Sequence, residues 1–277
     1  LPVSIKGFKD GDYAMIYGYP GGTNRYETSF GVKLKTEIEN PTLVALRDVR
    51  LKLMFEEMKK DPAVRLQLAS SYAGIANYWK FFDGETKQLL KYDVYRQKKK
   101  AEEQFLMWAK GKPQYENLFT RYDKAYQEWT PYARHRLYMT EGILGSRLAA
   151  MAASLQALEK ALSKTEVSKE VSKDPANELK TVVQSLTKAR KTFLENVNIT
   201  SDRNILAATC QKFYLDVDPP QHPKSFYEKI SVQYGDLSSP ATYQKLATDI
   251  FAKTAILDDE KWNEYYNTYL KYKAGGE

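Results

Sequence analysis

The sequence predicts a mainly α, multi-helix chain that opens with a short N-terminal β-hairpin. Three observations carry that expectation. Helix-start pairs recur along the chain, at Asn40-Pro41, Asp61-Pro62 and Asp174-Pro175, and proline is favoured in the first turn after a capping Asn or Asp. Apolar residues follow those starts at helical spacing, as in Leu43, Leu46, Val49, Leu53 and Met54. Residues 3–8 and 12–19 are short runs rich in β-branched and aromatic residues, divided by Lys9-Asp10-Gly11. Asp-Gly between such runs is a hairpin signal.

After the turn at Pro20-Gly21-Gly22 the chain changes character. The first helix is expected from Asn40-Pro41. A second starts at Asp61-Pro62 and carries Val64, Leu66, Leu68, Tyr72, Ile75 and Tyr78-Trp79 until Asp83-Gly84 breaks it. A long charged helix is expected from Glu85 to about Trp108, interrupted at Lys112-Pro113. Residues 114–163 read as helical again, with Pro131 as a kink or boundary. Gly142 to Leu162 is rich in Ala and Leu and is the most core-like helix. Residues 163–175, rich in Ser, Lys and Glu, read as a mobile connection. Helix resumes to about Val197, and Ser201-Asp202 is expected to cap another helix through Leu215. Asp218 to Pro223 reads as a rigid loop, followed by helices at about 239–256 and 258–272. No repeat of fixed period is present.

Composition narrows the function classes. Of 277 residues, 43% are hydrophobic and 28% charged, as in a folded globular protein. The net charge of +7 is interspersed with 35 acids, and the densest basic run, Arg96 to Lys100, leads directly into Glu102-Glu103. That pattern reads as a solvated helix face, so no nucleic-acid partner is expected. The single cysteine, Cys210, excludes an internal disulfide. No apolar run is long enough for a membrane span. Leu1 to Ile5 is too short and uncharged for a signal peptide, so any signal of an exported parent lies outside this chain.

A search for chemistry finds little. The two histidines, His135 and His222, are far apart in sequence, His135 between two arginines and His222 beside Pro223. Neither has a nucleophile motif near it, so no catalytic residue is expected in this chain. One Cys and two distant His exclude a standard zinc set, and no metal or cofactor is expected. Cys210 reads as a small buried hydrophobe. Gly18 to Asn24 lacks the endings of a phosphate loop and reads as a turn. Ser70 to Lys80 remains. Its small residues (Ala69, Ser70, Ala73, Gly74, Ala76) would allow close approach of another helix or of a ligand, and Asn77 beside Tyr78 and Trp79 could offer a donor and an acceptor to a pocket. The residues alone leave both readings open.

Gly11 to Tyr26 resembles the Gly-Asp-Phe…Gly-Tyr-Pro-Gly segment of the bacterial dipeptidyl-peptidase 7 and 11 family of serine exopeptidases, peptidase family 46 of the serine class. The resemblance continues in Asn40-Pro41-Thr42 with Arg47-Asp48 and Arg50, in Asp61-Pro62-Ala63, and in Tyr72 to Lys80; a weaker match is Ile250 to Leu257. It implies a chymotrypsin-like barrel outside most of this chain. Residues 1–26 would be barrel strands, and the hairpin a remnant of that sheet. Residues 27–277 would be the α-helical cap (regulatory) domain of a serine dipeptidyl aminopeptidase, covering the active-site cleft. The resemblance assigns the triad to flanking sequence and matches Asn77 to the residue that binds the substrate α-amino group, with Tyr78 and Trp79 as pocket walls. Its implied partners are a peptide substrate with a free N-terminus and the rest of the barrel. It implies an exported bacterial enzyme, periplasmic or at the cell surface, and is compatible with a homodimeric parent. The competing reading is a non-catalytic helical protein-interaction module.

Overall fold

The computed structural model describes residues 5–15, 18, 22, 24–160, 175–264 and 267, and these are overwhelmingly helical. In chain order the helices are α1 (Ser29–Leu34), α2 (Asn40–Lys60), α3 (Pro62–Lys91), α4 (Val94–Ala109), the short α5 (Pro113–Glu116), α6 (Leu118–Leu137), α7 (Arg147–Ser154), α8 (Pro175–Asn196), α9 (Ile199–Asp216), α10 (Lys224–Tyr234) and α11 (Pro240–Lys253). Residues 156–160 are also helical.

The expected hairpin is not seen among the described residues. Among them there is no strand, and residues 5–15 are irregular, with a turn at 10–11, and exposed. The turn at its centre is present: Asp12 N donates to Lys9 O at 3.2 Å, Lys9 N donates to Asp12 Oδ2 at 2.7 Å, and Gly11 takes φ +89°. The local turn chemistry is satisfied, but two short strands without a sheet to join are marginal in water. The remainder of the expected strands, residues 3–4, 16–17 and 19, lies outside the described residues.

Asn40 is not a helix cap. The helix begins at Ser29, capped by Thr28, and runs through a π-turn at Lys35–Glu39 into α2. Asn40 has helical dihedrals, is buried, and donates through Nδ2 to Glu85 Oε2 at 2.9 Å and Thr86 Oγ1 at 3.0 Å. Pro41 cannot donate to the preceding turn, and the wider π-turn before it accommodates the lost hydrogen bond. Asp61-Pro62 behaves as its sequence suggests: Asp61 Oδ1 accepts from Ala63 N at 2.7 Å and opens α3.

α3 does not end at Asp83-Gly84. It continues to Lys91, and the break falls at Tyr92-Asp93, where Asp93 adopts φ +47° and caps α4. A mid-helix glycine costs about 1 kcal/mol. That is offset here because the next turn is anchored by the contacts of Glu85 and Thr86 with Asn40 and by Lys35 with Glu85 at 3.6 Å. Pro131 lies inside α6. The helix expected from Gly142 starts only at Arg147, after a π-turn at Tyr138–Gly142 and a 3-10 turn at Ile143–Gly145. Residues 161–174, which include most of the expected connection, and residues 268–272 of the last expected helix lie outside the described residues.

α9 is the central element. Its buried residues (Ser201, Asp202, Ile205, Leu206, Ala207, Thr209, Cys210, Phe213) surround the helix rather than forming one stripe, as expected for a helix enclosed by neighbours. One core joins Leu206, Ala207, Cys210 and Phe213 to Leu46 of α2, Leu148 and Met151 of α7, Phe193 of α8, and Tyr243, Leu246 and Phe251 of α11. A second joins Met54, Leu68 and Ile205 where α2, α3 and α9 meet. α1, α4 and α6 form an aromatic flank, with Phe30 stacked on Tyr126 at 5.8 Å and Phe105 edge-on to Phe119 at 5.8 Å.

Candidate functional site

α3 packs on α2 and α9 through Leu68, with Val64, Tyr72 and Ile75 beside it. The opposite stripe, Ala69, Ser70, Ala73, Gly74 and Asn77, is exposed. A Cβ on Gly74 would meet nothing within 4 Å. The small residues therefore do not serve a helix crossing among the described residues. The Asn77 amide, on that same face, makes no hydrogen bond among them.

Tyr78 and Trp79 diverge. The Tyr78 ring, half exposed, lies under the Arg47 guanidinium, 5.3 Å from ring centroid to Cζ, and Phe82 lies at 5.5 Å from the same group. Cation–π contacts of this kind favour a cation that is partly withdrawn from water. Trp79 is half-buried, and its indole Nε1–H, itself buried, has no hydrogen-bond partner among the described residues.

Tyr78 and Gly74 form one rim of a cleft of about 400 Å³ between α2, α3 and the start of α9. Its polar lining was not anticipated from sequence. Arg47 and Arg50 reach it from α2, Arg147 from the start of α7, and Ser201 and Asp202 from the first turn of α9. Glu141, from the π-turn, ties the α2 arginines together: it accepts from Arg47 Nη2 at 2.7 Å and lies 3.6 Å from Arg50 Nη1. Arg147 donates to Asn196 O at 3.2 Å and to Ser71 Oγ. Gly145 makes room for Arg50: a Cβ there would lie 3.3 Å from the guanidinium.

Asp202 does not cap its own helix. Asn198 does, accepting from Ser201 N at 2.9 Å. The Asp202 carboxylate instead crosses to the next helix start and accepts from Ser146 Oγ at 3.0 Å, Arg147 N at 2.7 Å and Leu148 N at 2.9 Å. A carboxylate at a helix N-terminus satisfies orphan amides and complements the helix dipole. Burial raises the Asp202 pKa, and the hydrogen bonds from Leu148, Arg147 and Ser146 oppose the rise.

Both histidines are packing residues. His222 Nε2 is 2.7 Å from Val217 O, and its ring lies among Tyr214, Tyr227 and Phe213. His135 stands edge-on to Phe213 at 5.3 Å. Cys210 is buried. Among the described residues no three His, Cys, Asp or Glu side chains group as metal ligands, and no helix is long and apolar enough to cross a membrane.

The fold has known counterparts. The structure of Porphyromonas endodontalis DPP11 in complex with the dipeptide Arg-Glu matches with a TM-score of 0.65 at 21% identity, over 90% of this chain and 34% of that one. An Asp/Glu-specific dipeptidyl-peptidase of Flavobacterium psychrophilum is 31% identical over 264 residues, 93% of this chain and 34% of that protein. Dipeptidyl-peptidase 7 of Porphyromonas gingivalis is 38% identical over 146 residues, 52% of this chain and 20% of that protein. The chain thus spans about a third or less of the length of these relatives. The family model for Peptidase S46 matches residues 1–274, nearly the whole chain. With that match over a helical fold shared with a dipeptidyl peptidase, the chain belongs to the peptidase S46 family.

Proposed function

We propose that this chain is the helical cap of a serine dipeptidyl aminopeptidase, with residues 1–26 continuing into the protease barrel. In that enzyme the cap covers the active-site cleft, limits cleavage to the second residue of a free N-terminus, and binds the substrate α-amino group through Asn77. The enzyme is an exported bacterial hydrolase, periplasmic or at the cell surface.

The observation that carries the reading is the exposed small-residue face of α3. Gly74 and its neighbours leave room for a backbone to approach, and the Asn77 amide stands on that face without a partner among the described residues. An amide oxygen accepts from an ammonium, and a site that buries both groups rejects substrates that cannot satisfy them. The family membership, and the dipeptide held by the structurally similar DPP11, support a peptide as the occupant. Tyr78, at the cleft rim, is a candidate wall.

The test is Asn77→Ala in the intact enzyme. kcat/KM for substrates with a free amino terminus should fall by about 10- to 100-fold, the loss of one charge-assisted hydrogen bond in the transition state. An unchanged kcat/KM would remove Asn77 from the site. Full activity of the enzyme after excision of 27–277 would overturn the cap reading and favour an interaction module.

A further inference from the structure

The arginine-lined cleft holds more donors than the protein itself uses. Arg47 is 9% exposed, yet its buried Nε–H has no hydrogen-bond partner among the described residues, and the buried Nε–H of Arg50 has none among them either. Ser201 is 2% exposed, and its hydroxyl is also without a partner among the described residues. All three residues line the same cleft, beside the N-terminal turn of the 18-residue α9. Leaving a buried donor unmade is costly, and these three stand beside one cavity, where a small shift of the lining side chains would bring an incoming acceptor to them.

The charges agree. Three arginines (Arg47, Arg50, Arg147) face two carboxylates (Glu141, Asp202), one positive charge in excess. Asp202 is already engaged by Ser146 Oγ and by the first two amides of α7, and Glu141 is shared between Arg47 and Arg50. Arg50 meets Glu141 only at 3.6 Å, against 2.7 Å for Arg47. Burial pulls its guanidinium below the ordinary arginine range; Arg47 and Arg147 add to that, and Glu141 and Asp202 oppose it.

We propose that this cleft is a binding site for a carboxylate monoanion, held by Arg50 and Arg47 with Ser201 as a hydroxyl donor. A planar carboxylate suits a guanidinium donor set, and one negative charge balances the cleft where a doubly charged phosphate would exceed it. The volume of about 400 Å³ admits a small acid or the last residues of a peptide. The two readings share Gly74 and Tyr78 at the cleft rim, but Asn77 is not among the groups that hold the carboxylate, so variants at Asn77 and at Arg50 or Ser201 test them separately.

The experiment is thermal unfolding and calorimetric titration of the intact protein with sodium acetate, at constant ionic strength set with sodium chloride. N-acetyl-diglycine and its C-terminal amide serve as second probes, because the blocked amine prevents binding through Asn77. Acetate should raise Tm in a saturable way. Arg50→Gln should abolish the shift, and Ser201→Ala, which only deletes an unpartnered hydroxyl, should weaken affinity about 3- to 10-fold while leaving the unliganded Tm within a degree or two. Tighter binding of N-acetyl-diglycine than of acetate, with no binding of the amide, would identify the carboxylate as a peptide C-terminus; acetate alone would identify a free small acid. An acetate shift that follows ionic strength, or that persists equally in Arg50→Gln and Ser201→Ala, would overturn the site, as would no shift with either acid.

Discussion

Glu102 of α4 holds Ser29, the first residue of α1, with both carboxylate oxygens: Ser29 N donates to Oε1 at 2.6 Å and Ser29 Oγ donates to Oε2 at 2.7 Å. Both residues are buried, and 73 residues separate them. The pair clamps the start of the helical region to α4. Glu102→Ala would leave two buried donors unmet and should cost about 2–4 kcal/mol of stability. Urea unfolding checks it, and a loss under about 0.5 kcal/mol would mean that water replaces the carboxylate.

Asp216 links the end of α9 to the turn after α6, accepting from Lys212 Nζ at 2.8 Å and from the Tyr138 hydroxyl. Burial alone would raise its pKa. The hydrogen bonds of Lys212 and Tyr138, with the charges of Lys212 and Arg134, outweigh burial and hold it below the ordinary carboxylate value. A depressed folded pKa gives stability that is complete above about pH 4 and lost as pH falls through the folded value. The Tm difference between wild type and Asp216→Asn should therefore be largest at neutral pH and shrink as pH falls below the ordinary carboxylate range. A difference independent of pH would refute the linkage.

Burial pushes the Cys210 thiol up to about 12. At pH 8 the thiolate is then on the order of one part in ten thousand. Iodoacetamide should leave the folded protein unmodified and label Cys210 once it is unfolded, read by mass spectrometry. Rapid labelling of the native state would show that α9 opens locally.

Tyr243 of α11 is fully buried in the main core, and its hydroxyl has no partner among the described residues. The ring contributes to packing while the hydroxyl is desolvated without return. Tyr243→Phe should be neutral or stabilising by up to about 1 kcal/mol, visible as a raised Tm. Destabilisation by more than about 1 kcal/mol would show a hydrogen bond to buried water.

The chain's own pattern determined that it is helical. The proline starts, the apolar spacing and the chemistry of the Asp61 cap are local, and α3 begins where Asp61-Pro62 says it must. Buried Cys210 was equally legible, because a lone cysteine in an Ala-rich helical stretch has little else to do. Asn77 could be singled out by its neighbours, and its solvent-facing position on α3 adds the geometry. What pattern could not supply were partners distant in the chain. Glu102, in a run that reads as solvated, is buried because Ser29 comes to it. Asp202, which looks like the cap of α9, caps α7 instead. Gly84 fails to stop a helix whose next turn is anchored by Asn40. Arg47 and Arg50, spaced i,i+3 on an otherwise apolar face, carried the signal of the cleft, but their charge became meaningful only when Glu141, Arg147 and Ser201 were folded around them. Local sequence sets which backbone forms cost least. Which polar group satisfies which is decided by desolvation, and that is a property of the tertiary structure.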